Sequence, residues 1–386
     1  ILPPVLAAKI SGFSRIILPK GNGAEAAIFE GIEVREAGSL TDVVEHLAGR
    51  KDLPIIPLRS WHENTPDFPY DFKDIRGQES AKRALEIASA GGHNILMFGP
   101  PGAGKTILAK TLSSILPQLS FEESLEVTKI HSISGTLDEK KPFITMPPFR
   151  SPHHTSSYTA IVGGGTYPRP GEATLAHRGV LFLDEFPEFD RRVLEALREP
   201  IEERSVTIAR SQGTQNFPAH FILVAAMNPC PCGNFGNPIH DCICSPGAVQ
   251  KYAKKVSGPL LDRIDIRIEL PSVPYDKLEE GDGEPSASIR MRVEEARIRQ
   301  KKRFRNLPIH TNSEMGLKEI KQFIRIDDSL KPLLRRAHEQ YHLSARAYHR
   351  VLKLTRTIAD LMGSEDIKEP HLLEAIRYRP RKELYL

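Results

Sequence analysis

Outside one short stretch the chain has no cysteine: its four thiols, Cys230, Cys232, Cys242 and Cys244, all fall within CPCGNFGNPIHDCIC. That distribution excludes a disulfide framework running through the fold. Long apolar runs are also missing; none approaches the roughly 18 residues a membrane-spanning helix needs, so no membrane partner is expected. Charge of neither sign is in large excess. With 53 Lys and Arg against 49 Asp and Glu, the formal net charge is +4. This rules out a histone-like polycation and leaves room for a local basic surface, so nucleic acid is permitted but not demanded. The front of the chain lacks the charged, apolar and small-residue pattern of a signal peptide and begins at Ile1 without a methionine. It reads as cytoplasmic, with an N-terminal piece lost.

What is present suits a globular protein of two or three domains: 386 residues, 40% hydrophobic and 7% aromatic. Residues 1–51 alternate apolar and polar positions, predicting a strand, a loop, a second strand and then a helix capped by Thr41 and Asp42. Residues 52–71 are proline-rich and read as a linker or extended strap. From 72 to 270, helical patterns alternate with short apolar strands, which predicts an α/β fold with a parallel sheet wrapped by helices. A second loose stretch, 271–287, leads into a helical region, 288–386, with charged faces and Leu or Ile at helical spacing.

The chemistry is written in HNILMFGPPGAGKTILAKTL. Ile95 to Phe98 read as a strand, and Gly99, Pro100, Pro101, Gly102, Ala103, Gly104, Lys105 and Thr106 match the phosphate-binding pattern G-x-x-x-x-G-K-[ST]. Helical periodicity follows from Ile107, the context that pattern requires. Backbone N–H groups and the helix N-terminus would face phosphate oxygens, Lys105 would reach the terminal phosphates of ATP, and Thr106 would ligate Mg²⁺. Hydrolysis needs an acid as well. Val180 to Leu183 read as a buried strand ending in Asp184 and Glu185, so Asp184 is placed to hold Mg²⁺ and Glu185 to polarise the attacking water. FILVAAMN reads as the next strand, ending at Asn228, a candidate partner for that water or the γ-phosphate.

The order of this loop, Asp184-Glu185, Asn228 and SGPLLDRIDI resembles the AAA+ P-loop NTPases of the magnesium-chelatase-like, MCM-like branch. More narrowly, GQESAKRALEIASAGGHNILMFGPPGAGKT, PFRSPHHTSSYTAIVGGGTYPRPGEATLAHRGVLFLDEFPEF and NPCPCG are similar to the bacterial YifB/ComM family. That resemblance implies an ATPase with a C-terminal helical lid, assembled as a homo-oligomeric ring, a hexamer, that drives branch migration of DNA during natural transformation. It also implies that Arg263 enters a neighbouring subunit's active site and that Arg346 is the second-sensor arginine of the lid. Arg263 could instead be an ion-pair partner of Asp262 or Asp265, and Arg346, just after the candidate N-cap Ser344, an exposed first-turn side chain. Residues 1–51 resemble the closing half of a Lon-protease-like domain. Its Ser/Lys dyad would need a lysine near the beginning, where ILPPVL has none, so peptidase activity is not expected.

For the substrate, Glu203 to Phe221 read as two strands about a turn with Arg210, Ser211, Gln212 and Gly213 near the tip, either a solvated hairpin or a grip on a DNA backbone. By the same likeness it is a pore hairpin, and the segment around His153 and His154 a second pore insertion; a metal at those histidines is disfavoured for want of an acid or thiol nearby. The basic run Arg297 to Arg305 reads as a solvated helix face or a DNA contact. The four cysteines either complete a tetrahedral structural Zn²⁺ site, with His240 able to replace one ligand, or remain plain reduced thiols. Two other functions stay open: a chelatase motor subunit driving metal insertion through a partner, and a protein remodeller.

Overall fold

The computed structural model describes residues 1–58, 68–138, 143–165, 169–210, 213–237, 240–279, 281 and 283–379. The chain divides into two compact units, one of residues 1–67 and 118–146, the other of residues 68–117 and 147–386.

In the smaller unit, β1 (Arg15–Pro19) and β2 (Glu33–Ala37) pair in parallel, from Arg15 opposite Glu33 to Pro19 opposite Ala37. Leu18 and Val34 pack with Leu2, Val5 and Phe29 and with Leu125 of the helix Phe121–Ser134. The strand, strand and helix order holds, but a helix, Leu2–Ile10, precedes it, a short helix, Gly23–Ala26, stands where a loop was expected, and the helix Leu40–Leu47 is capped by Ser39, not by Thr41 and Asp42. Ser39 Oγ accepts from Asp42 N at 3.2 Å and donates to the Asp42 carboxylate at 3.0 Å, so the serine satisfies an N-terminal donor and Asp42 lies inside the first turn. In the proline-rich stretch, Ile56 N donates to Val34 O, which straps it to β2.

The larger unit is built on parallel strands. β3 (Ile95–Phe98), β4 (Phe149–Arg150), β5 (Val180–Leu183), β8 (Ile222–Met227) and β9 (Ile266–Glu269) stand in the order β9-β3-β8-β5-β4; between β5 and β8 in the chain, β6 (Ser205–Arg210) and β7 (Gly213–Pro218) form a separate antiparallel hairpin. Every residue of β3, β5 and β8 is buried. These strands are apolar without a break because helices cover both faces of a parallel sheet. Alternate residues feed alternate cores. Ile95, Met97, Val180, Phe182, Val224 and Ala226 join one cluster, and Leu96, Leu181, Leu183, Leu223 and Ala225 join the other.

The first cluster also contains the C-terminal helices, so the lid shares a core with the sheet. Val293 of Ser286–Arg303 and Val351, Leu354 and Ile358 of Ala345–Leu361 lie in it. The basic run largely serves this packing. Arg297 donates to Ser89 O, Arg299 to Asp360 O, and Arg303 to both carboxylate oxygens of the buried Asp360. Lys301, Lys302 and Arg305 stay at the surface. Among the described residues no helix is long and apolar enough to cross a membrane.

Candidate active site

The site begins where β3 stops. Gly99 to Gly104 turn over the strand end, and Gly104, at φ +88°, is the N-cap of the helix Lys105–Thr111. A side chain would be strained in that left-handed conformation, whereas glycine lets the amides turn inward. Lys105 folds back onto its own loop. Lys105 Nζ donates to Gly99 O at 2.7 Å, Pro100 O at 2.9 Å and Asn228 Oδ1 at 3.1 Å. Burial lowers its pKa to about 8, against a smaller upward pull from Asp184.

The strand order explains why distant segments meet. β8 lies between β3 and β5, so Asn228 leaves the sheet beside the loop, and Asp184 and Glu185 leave it one strand further on. Thr106 Oγ1 donates to Asp184 Oδ2 at 2.7 Å, and Asp184 Oδ1 accepts from Glu185 N at 2.9 Å. Lys105, Thr106, Asp184, Glu185 and Asn228 are thus gathered at one carboxyl edge. A hydroxyl in the first turn of a helix, already in contact with a carboxylate at a strand end, is a pair of hard oxygen donors of the kind Mg²⁺ takes.

Two residues missed from the sequence also join this edge. His154 Nδ1 lies 2.8 Å from Glu185 Oε2, so the histidine set aside as a metal ligand holds the acid instead. Glu185 itself sits at φ +51°, a left-handed conformation that only the surrounding structure maintains in a glutamate. Gln78, also left-handed, donates through Nε2 to Ala103 O at 3.2 Å and Pro271 O at 2.7 Å, tying the phosphate loop to the chain leaving β9. The glycine-glutamine pair before a helical pattern was the available signal; His154 stood out with His153 as a candidate pore insertion, but nothing local tied it to Glu185.

Arg263 and Arg346 lie elsewhere. Arg263 is 4% exposed, with Nη2 at 2.6 Å from Glu202 Oε2 and Nη1 donating to Pro259 O. Arg346 Nη2 lies 3.2 Å from the other Glu202 oxygen, and its side chain is 54% exposed. Ser344 caps that helix, accepting from Ala347 N. Close by, Asp265 accepts from Arg350 at 2.5 Å and from Asn94 N at 3.2 Å. Asn94 precedes β3 and Gly99 follows it, so this arginine cluster occupies the amino edge of the sheet, a strand length of about 13 Å from the phosphate loop. A cavity of about 540 Å³ opens there, lined by Glu202, Arg204, Asp265, Arg346, Arg350 and Lys353 among others.

The β6–β7 hairpin forms as expected. The Arg210 side chain, Ser211, Gln212 and the side-chain surroundings of Gly213 lie outside the described residues. Cys230, Cys232, Cys242 and Cys244 come together, their Sγ atoms all within 4.8 Å of one another, an arrangement that could hold a metal ion. His240 is not part of that group.

A parallel sheet carrying a phosphate loop, a strand-end acid pair and a polar residue on the strand between them, with a helical lid, defines an AAA+ P-loop ATPase. The magnesium chelatase, subunit ChlI, family matches residues 71–278, and its C-terminal family matches residues 283–379. The chain belongs to this magnesium-chelatase-like family, in the ComM/YifB group. It is 42% identical to the competence protein ComM of Haemophilus influenzae over 98% of its own length and 74% of ComM. It is 43% identical to YifB of Escherichia coli, over 95% of this chain and 71% of YifB. A weaker likeness, 32% identity over 36% of the chain and 26% of the relative, is to Lon protease 2 of Bacillus subtilis.

Proposed function

We propose that the chain is the ATP-hydrolysing motor of a head-to-tail homo-oligomeric ring, a hexamer, that translocates on DNA and migrates branched recombination intermediates in the cytoplasm. One observation carries the reading: five residues of the hydrolytic set share one sheet edge, whereas Arg263 and Arg346 gather at the other. An arginine at the amino edge cannot serve its own phosphate loop, but a head-to-tail neighbour would bring it to the next one.

Thr106 and Asp184 would hold Mg²⁺, which when bound neutralises charge on the phosphates. Lys105 exchanges the Gly99 and Pro100 carbonyls for phosphate oxygens. Glu185 turns from His154 to accept a proton from the attacking water, and Asn228, freed of Lys105, steadies that water or the γ-phosphate. Arg263, released from Glu202, and Arg346 would offset charge developing on the neighbour's transferred phosphoryl group. Cys230, Cys232, Cys242 and Cys244 would hold a structural Zn²⁺. The β6–β7 hairpin would meet the DNA backbone through the stretch from Arg210 to Gly213.

A second reading has its own support in the matched family, whose description names magnesium chelatase: a motor driving metal insertion through a partner. Turnover with and without a four-way DNA junction separates them. The DNA reading expects turnover to rise with the junction and that rise to fall steeply with salt; stimulation only by a porphyrin-binding partner would replace it. Arg210→Ala should lose the DNA response while keeping basal turnover.

A further inference from the structure

The cysteine-bearing segment has a neighbour that its sequence position only hints at. Cys230 is fully buried and lies two residues beyond Asn228, the side chain that holds Lys105. Cys230 Sγ is 3.3 Å from Cys232 Sγ and 3.7 Å from Cys242 Sγ, and Cys232 and Cys242 are 3.6 Å apart. Zinc–thiolate bonds of about 2.3 Å give tetrahedral sulfur–sulfur separations of about 3.8 Å, so these three thiols already stand close to ligand spacing, and Cys244, within 4.8 Å of them, is the fourth ligand available. Backbone donors already point at them. Phe235 N donates to Cys230 Sγ, and amides of Asn234 and Ile243 face Cys232. Such N–H groups stabilise thiolates and set ligand direction.

The turn that these ligands would fix presses on the phosphate loop. Gly233 sits at φ +83°, and a Cβ there would stand 2.5 Å from Pro101 Cδ and 2.6 Å from Pro101 Cγ. Backbone therefore meets backbone-bound ring with no room for a side chain. Beside this contact a cavity is walled on one side by Gly99 and Pro100, whose carbonyls hold Lys105, and on the other by Phe235, Gly236 and Asn237 of the cysteine loop. That loop has no apolar pattern to hold it in place; Phe235 is 48% exposed and Ile243 88% exposed.

We propose that Cys230, Cys232, Cys242 and Cys244 bind one Zn²⁺ per chain, and that the metal-closed turn buttresses the phosphate loop from Pro101, so that zinc occupancy controls nucleotide affinity. The regulatory half rests on the ATPase reading above; the metal half does not. A loop of this kind has few ways to stay ordered other than a metal, because metal binding supplies the folding free energy that its polar sequence lacks.

The test uses the full chain. Metal content by plasma mass spectrometry and affinity for a fluorescent ATP analogue are measured on wild type, on wild type after zinc is withdrawn by a chelator and then restored, on Cys242→Ser/Cys244→Ser, and on Gly233→Ala. The proposal expects one zinc in wild type and none in the double variant. It expects nucleotide affinity lowered about tenfold or more on zinc removal, and recovered when zinc alone is returned. Gly233→Ala should keep its zinc and still bind nucleotide weakly, since its ligands are intact and only the buttress is displaced. Wild type without zinc, even after exposure to it, overturns the proposal, and so does zinc loss with unchanged affinity. If wild type holds zinc but binds no ATP, the ATPase reading fails while the metal site stands.

Discussion

Lys105 is held by carbonyls, not by a counter-ion, and that makes its charge pH-sensitive. Burial sets its pKa at about 8 before nucleotide arrives. A neutral amine cannot attract phosphate, and bound phosphate favours the charged form. ATP affinity should therefore be strongest below pH 8 and weaken as pH rises through that value, with proton uptake on binding seen calorimetrically above it; a flat affinity between pH 7 and pH 9 would contradict this. Glu185 carries the chemistry in the same account. Glu185→Gln should retain nucleotide and lose about 10²-fold or more in turnover. His154 withholds that carboxylate at 2.8 Å, so His154→Ala should raise turnover measured without DNA, whereas unchanged turnover would mean that the contact has no bearing on the acid.

Elements that the sequence could reveal are those whose burial is continuous. ILMF, VLFL and ILVAAM are apolar at every position because both faces of the sheet are covered, so their ends, and with them Gly99, Asp184 and Asn228, were legible. Contacts between elements were not. Glu202 joining Arg263 and Arg346, or His154 reaching Glu185, depends on segments far apart in sequence whose residues look like solvated charge and polar loop. In the run from Arg297 to Arg305 the solvated face read from the sequence holds for Lys301, Lys302 and Arg305, while the packing of Arg297, Arg299 and Arg303 was hidden for the same reason, since a guanidinium bonding a helix-end carbonyl has the same letter as one in water. Asp265 shows what such a hidden contact contributes. Burial alone would raise its pKa, but Arg350, His93 and Arg379 outweigh that and hold it well below the usual carboxylate range. Its contribution is then complete above about pH 4, the unfolded value, and shrinks as acid approaches the folded one. Asp265→Asn should destabilise the larger unit by about 3 kcal/mol at neutral pH by leaving the partly buried Arg350 without its charge partner. Urea unfolding should show the gap between wild type and variant narrowing below pH 4; a gap independent of pH would refute the assignment.

At the scale of the whole molecule, the sheet separates what ATP chemistry needs. One edge gathers Lys105, Thr106, Asp184, Glu185 and Asn228, and the other carries arginines neutralised in the single chain by Glu202 and Asp265. On the proposed function, a monomer so arranged would bind ATP and cleave it slowly. Turnover per chain should accordingly rise with protein concentration as rings form, and the smaller unit with its β1–β2 pair should not be needed for nucleotide binding. The most direct test mixes two inactive variants, Lys105→Ala, which keeps both arginines, and Arg263→Ala, which keeps its phosphate loop. The account predicts that each alone is nearly inactive and that mixed rings regain ATPase activity, because a Lys105→Ala chain lends Arg263 to an intact loop next door; Arg346→Ala, altered at an exposed side chain, should complement in the same way. Mixed rings that form and stay inactive, or Arg263→Ala chains that hydrolyse ATP at the wild-type rate alone, would contradict it.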